Sequence, residues 1–123
     1  MLANKDAMAT VAVKDQKVAG KFYEETLGLK RIDRESGVLM YQSGNSQLLV
    51  YESQYAGSNK ATAVTWTVDD VEAVAKALSA RGVRFEHYDF PGSTRKGDVH
   101  IYGELKNAWF KDPDGNILSI VGR

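Results

Sequence analysis

The chain has 123 residues, with 16 basic and 16 acidic side chains, two histidines and no cysteine. Zero formal charge, with no basic run longer than Arg95-Lys96, leaves no electrostatic footprint for nucleic acid or anionic lipid. Without thiols there are no disulfides, cysteine nucleophiles or thiolate metal sites, and no stretch approaches the ~20 apolar residues of a bilayer span. Met1 to Asp6 is neither cationic nor apolar enough for a leader, so one soluble, cytoplasmic domain over residues 1–123 is expected.

In Ala9-Thr10-Val11-Ala12-Val13, the larger side chains Val11 and Val13 alternate onto one face, which predicts a strand with one apolar side. Asp15 can cap a helix running to about Leu27, with Val18, Phe22 and Leu27 on its stripe and Gly28 placed to end it. Three strand candidates follow: Lys30 to Asp33, Val38 to Gln42 and Gln47 to Glu52, separated by Ser36-Gly37 and by Ser43-Gly44-Asn45-Ser46.

The order then begins again. Ala63 to Val68 alternates like the first strand, Asp69-Asp70 offers a cap, and Val71, Val74, Ala75 and Leu78 recur at helical spacing before Gly82. Val83 to Tyr88 is a strand candidate, and Gly92 to Gly103 is a polar connection that could serve as a lid. Asn107 to Lys111 should pair with Ile117 to Val121 through Asp112-Pro113-Asp114-Gly115, where Pro fixes φ and Gly115 accepts a left-handed backbone. Placing Asp15 on Asp70, an offset of 55 residues, also places Val11 on Trp66 and Val13 on Val68. The chain reads as a duplicated βαβββ module, copy one over about 8–53, a linker over about 54–60 and copy two over about 61–123.

Val13-Lys14-Asp15, Phe22-Tyr23-Glu24-Glu25-Thr26-Leu27-Gly28-Leu29, Val68-Asp69-Asp70 and Phe110-Lys111-Asp112-Pro113-Asp114-Gly115-Asn116 occur in an order that resembles the vicinal oxygen chelate superfamily. That superfamily groups glyoxalase I, bleomycin-resistance proteins and extradiol dioxygenases. The resemblance spans about Ala9 to Val121 and implies an α+β fold whose two modules curl a mixed sheet into a cup, helices outside and ligand inside. It also implies a homodimer, in some members with modules exchanged between chains.

Metal-using members of the family carry a His seven residues before each helix-capping Asp and a carboxylate in each last strand. Here the first two positions are Met8 and Ala63, and the last strand of copy two offers Ser119. The fourth falls on Leu48 or Leu49, with Glu52 as the remaining option. A thioether, a methyl and a hydroxyl are poor ligands for a divalent ion, and a catalytic ion generally needs about three protein ligands. No metal and no other cofactor is therefore expected, the alternative being a divalent ion at a non-standard site. The imidazoles are His87 and His100, near Glu86, Asp98 and Glu104. His87 reads as an exposed strand position and His100 as part of a polar loop, with His100, Glu52 and Glu104 as candidate acid/base residues should the protein be a catalyst.

Strand parity sends Val11, Val13, Trp66 and Val68 toward the helices, and Met8, Thr10, Ala63 and Thr65 toward the concave side. A type I turn with a bulge at Gly115 pairs Phe110 with Leu118 and Trp109 with Ser119, which adds those last two to the cup. Tyr41, Tyr51 and Tyr102 are further candidates, although each aromatic could equally pack between modules or protomers. Such a lining suits a planar or hydrophobic organic molecule. Three functions follow: metal-free binding of a small organic molecule, a lyase, isomerase or dioxygenase with relocated residues, and a regulatory dimer with a vestigial cup.

Overall fold

The computed structural model describes residues 1–35 and 37–123, and the side chains of all of these except 33–35. Ser36, half of the expected Ser36-Gly37 turn, lies outside the described residues. The first strand, β1 (Ala9–Val13), buries Val11 and Val13. The Asp15 carboxylate then accepts from the backbone N–H groups of Lys17 and Val18 at 2.7 and 3.4 Å, starting α1 (Gln16–Gly20). Without a break, the helix continues as a π-helical segment (Lys21–Thr26), closed where the Leu27 N–H donates to the Phe22 carbonyl five residues back.

The buried face differs from the expected stripe. The residues buried against the first sheet are Ala19, Gly20 and Tyr23, while Val18 is exposed and Phe22 and Leu27 are half-buried. Ala19, Gly20 and Tyr23 stand at ordinary i, i+1, i+4 spacing, a helical face set one residue later than expected, with the small Gly20 lying against Leu39 and Tyr41.

Strands β2 (Lys30–Glu35), β3 (Val38–Ser43) and β4 (Ser46–Glu52) complete the first sheet in the order β1-β4-β3-β2, with β1 parallel to β4. Copy two opens with β5 (Thr62–Thr67) and α2 (Val71–Ala80), whose cap Asp70 accepts from the Ala73 N–H at 3.0 Å. It continues through β6 (Phe85–Glu86), β7 (Thr94–Lys96), β8 (Val99–Tyr102), β9 (Leu105–Lys111) and β10 (Ile117–Gly122). The second sheet runs β5-β10-β9-β8-β7, with β5 parallel to β10 and β6 paired to β9. The fold is thus α+β, two mixed sheets each backed by its own helix, and the sheets adjoin along β1 and β5.

Copy two departs from the expected pattern in one place. The strand candidate Val83 to Tyr88 is reduced to the two residues of β6, and the polar connection Gly92 to Gly103 is a β7–β8 hairpin. Residue offsets measure the departure: it is 55 at the helix caps, Asp15 and Asp70, but 69 at Tyr41 and Phe110, which pair with the buried Leu48 and Leu118. Copy two therefore carries 14 additional residues between its helix cap and its penultimate strand.

The Asp112-to-Asn116 turn joins the copies. The Asp112 Oδ1 accepts from the backbone N–H groups of Asp114 and Asn116, both at 2.9 Å. Its Oδ2 accepts at 2.8 Å from the Tyr23 hydroxyl of the first copy and from the Asn116 side-chain amide, which also donates to the Ala12 carbonyl. Burial, then the Asp112 charge and its hydrogen bond, raises the Tyr23 pKa far above the ordinary phenol value. On the linker, Gly57 (φ +77°) packs so tightly against the Asp114 carbonyl that a Cβ would collide with it. Across the seam, the Trp66 indole N–H donates to Ser43 Oγ at 2.8 Å.

Candidate ligand-binding site

The face of the second sheet turned away from α2 is fixed by register. Ser119 lies opposite Thr65 on one side and Trp109 on the other, and His100 lies opposite Asn107. Since Asn107 and Trp109 are two apart on β9, all five side chains share a face. Ser119 is 2% exposed, and its hydroxyl makes a 2.7 Å hydrogen bond with the Thr65 hydroxyl. The two hydroxyls satisfy each other, and of the two only Ser119 occupies a position where metal-using relatives would present a ligand, a carboxylate.

Beside that pair is a cavity of about 680 Å³. Its walls are Trp109, Asn107 and Leu105 from β9, His100 and Tyr102 from β8, Tyr88, Phe90 and Pro91 from the crossing after β6, Lys60, Ala61 and Thr62 at the start of β5, and Ile117. Much of this wall comes from the stretch in which copy two exceeds copy one. The crossing is held in place: His87 Nε2 and Asp98 Oδ1 are 2.7 Å apart, tying it to the β7–β8 turn. The Trp109 indole N–H donates to Thr62 Oγ1 at 3.2 Å.

His100 is the polar centre of the wall. The ring is only 2% exposed and sits among aromatics, edge-on to Trp109 with centroids 4.8 Å apart and roughly parallel to Phe90 at 6.2 Å. Its Nε2 accepts the Tyr88 backbone N–H at 2.9 Å, and an amide can only donate, so the neutral ring carries its proton on Nδ1. Among the described residues, Nδ1 has no hydrogen-bond partner. An unsatisfied buried donor costs about 1–3 kcal/mol, so this N–H, buried in a residue of the cavity wall, is left in need of an acceptor. With Nε2 occupied, the ring has no free lone pair and cannot act as the general base considered from sequence. It belongs to a strand, not to a polar loop.

The other sequence candidates are dispersed. Trp109 and Tyr102 border the cavity, whereas Ala63, half-buried, and the Thr65–Ser119 pair lie outside its wall. Met8 borders a different cleft with Lys5 and Gln47, and the Thr10 hydroxyl donates to the Met8 carbonyl at 3.4 Å. Tyr51 is exposed on the first sheet. Tyr41 is not a cup residue: it is fully buried, stacks on Tyr23 and donates its hydroxyl to Glu24 Oε2 at 2.8 Å. Of the acid/base candidates, Glu52 accepts the Gln16 N–H at the start of α1, and Glu104 is exposed in the β8–β9 turn, so neither reaches the cavity.

Register also resolves the fourth metal position, because Leu49 sits opposite Thr10 as Ser119 sits opposite Thr65. The corresponding set is Met8, Leu49, Ala63 and Ser119, which does not fit a divalent ion. Among the described residues, no three of His, Cys, Asp and Glu come together to hold one elsewhere. No helix among the described residues is long and apolar enough to cross a membrane.

Residues 7–120 match the model of the Glyoxalase/Bleomycin resistance protein/Dioxygenase superfamily. The chain belongs to that superfamily. No curated protein matches the sequence significantly. Among solved structures, it is similar to TnmS3, an antibiotic binding protein from Streptomyces sp. CB03234, with 23% identity, a TM-score of 0.71 and coverage of 99% of this chain and 98% of that one. A lactoylglutathione lyase from Agrobacterium tumefaciens matches with 16% identity, a TM-score of 0.72 and coverage of 97% and 93%. A glyoxalase family protein from Enterococcus faecalis matches with 18% identity, a TM-score of 0.73 and coverage of 98% and 99%. At these identities the likeness shows the fold alone.

Proposed function

We propose that this protein binds a small aromatic molecule in the cavity of copy two, holding it without turnover, as a cytoplasmic homodimer. The observation that carries the reading is the cavity itself: a wall with the rings of Tyr88, Phe90, His100, Tyr102 and Trp109 beside one buried donor, in a fold whose four metal positions hold Met8, Leu49, Ala63 and Ser119. The volume suits a drug-sized ligand, and flat rings gain most from edge and face contacts with Trp109, Tyr88 and Phe90. The antibiotic-binding role of a structural neighbour supports the same reading. The lyase neighbour shares the fold, but the relocated acid/base group that a catalyst here would need is not assembled from His100, Glu52 and Glu104.

Equilibrium dialysis with 9-fluorenone, a flat tricyclic ketone, tests the proposal. We expect one molecule bound per chain in the micromolar range, weakened at least about tenfold in Trp109→Ala and in Tyr102→Ala. Tyr102 is 55% exposed, so its variant should fold normally. No binding, or binding indifferent to both substitutions, would overturn the reading.

A further inference from the structure

We infer that the ligand carries a carbonyl-type oxygen that accepts the His100 Nδ1–H, so the site selects conjugated aromatic ketones, quinones or aryl acids over hydrocarbons and cations. The inference rests on the binding reading above and adds the polar half of recognition. Three observations lead to it. The Tyr88 backbone N–H fixes the tautomer of His100, so what the ring has left to offer is a donor. That donor is buried and unpartnered beside the cavity. The charged side chain in the wall is Lys60, and among the described residues no Asp or Glu borders the cavity.

The last point separates two kinds of ligand that an aromatic wall could hold. Rings clustered this way can take a cation through their faces, but a cation would meet the N–H and the Lys60 ammonium with no counter-charge. A ligand oxygen meets complementary groups instead. The neutral N–H to carbonyl bond orients the ligand, and a carboxylate or phenolate gains further from Lys60. The preference is specific because a donor left unpaired in a closed complex penalises the wrong ligand more than the bond rewards the right one.

The experiment compares 9-fluorenone with fluorene, the same tricyclic skeleton with CH2 in place of C=O, by calorimetry on the full chain. The expected result is about tenfold tighter binding of the ketone. In His100→Phe, which keeps a flat ring but removes both the Nδ1 donor and the Nε2 acceptor of the Tyr88 N–H, the ratio of the two affinities should fall to about one whatever the affinity for fluorene itself becomes. Nitrogen-15 NMR of the wild-type protein gives a second readout should that variant fold poorly: the His100 Nδ1–H resonance should move downfield with fluorenone and stay in place with fluorene. Equal affinities in the wild type, an unmoved resonance, or tighter binding of an aryl trimethylammonium probe would each overturn the inference while leaving aromatic binding intact. Binding of none of these probes would remove the reading beneath it as well.

Discussion

Copy one runs from its helix into β3 through the single strand β2, whereas copy two takes 14 more residues to reach β9. The difference decides which copy carries the aromatic-walled cavity. On the first sheet, Thr10 and Tyr51 are exposed and Leu49 is half-buried, while on the second the additional stretch folds Tyr88, Phe90 and the β7–β8 hairpin beside Trp109. Copy one contributes something else. Its Tyr23 reaches into the final turn of copy two, and its Ala12 carbonyl is bound by Asn116. A duplicated plan has been divided into an anchoring half and a cavity-bearing half.

The division can be broken most severely at Asp112. Replacing it with alanine leaves two backbone amides, the Asn116 amide and the Tyr23 hydroxyl without their shared acceptor. We expect a loss of at least about 3 kcal/mol, roughly a hundredfold in the folding equilibrium, seen as one cooperative shift in urea denaturation. A first copy that stayed folded while the second melted would refute the coupling.

Tyr23→Phe removes only the hydroxyl and should lose about 1.5 kcal/mol. It also changes the alkaline limb. The folded pKa of Tyr23 is raised, so above about pH 10 the phenol ionises in the unfolded chain and not in the native one, and stability falls as pH rises. The variant should lose stability less steeply between pH 10 and 11 than the wild type, measured by thermal melts across that interval.

A paired substitution sharpens the division without touching the seam. Tyr102→Ala should weaken 9-fluorenone binding about tenfold, while Tyr51→Ala, on the first sheet, should change it less than about twofold. Equal losses would place the ligand across both sheets. The smallest effect is expected at Asp114, whose pKa is raised chiefly by burial while its Oδ1 accepts the Lys14 N–H. Ionisation there opposes folding, so stability contributed by the neutral form is lost as pH rises through the carboxylate range. Asp114→Asn keeps an acceptor for Lys14 and should raise stability slightly at neutral pH, by a few tenths of a kcal/mol in urea titrations.

Local chemistry made much of the fold legible. Asp15 and Asp70 cap where the sequence places them, and the bulged turn gives the expected pairing of Leu118 with Phe110 and Ser119 with Trp109. Tyr41 was misplaced because Val38 to Tyr41 is apolar at every position and carries no alternation. The two-residue Gly44-Asn45 turn held the answer, since it sets Tyr41 opposite Leu48 and onto the buried face. The cavity was harder. The Gly97-Asp98 turn could have revealed the β7–β8 hairpin, but β7 is exposed at all three positions and leaves no hydrophobic signature. Nothing local to His100 indicates that Tyr88, twelve residues earlier, returns to fix its tautomer. That contact is tertiary.

The two tryptophans fall on opposite sides of this arrangement, Trp66 tied to Ser43 across the seam and Trp109 edge-on to His100 in the cavity wall. Nature has thereby supplied a built-in pair of fluorescent gauges. With Trp109 changed to Phe, the surviving emission reports whether the halves are docked; with Trp66 changed instead, it reports whether the chamber is filled. Assembly and occupancy can be watched separately in one small protein, without attaching a dye.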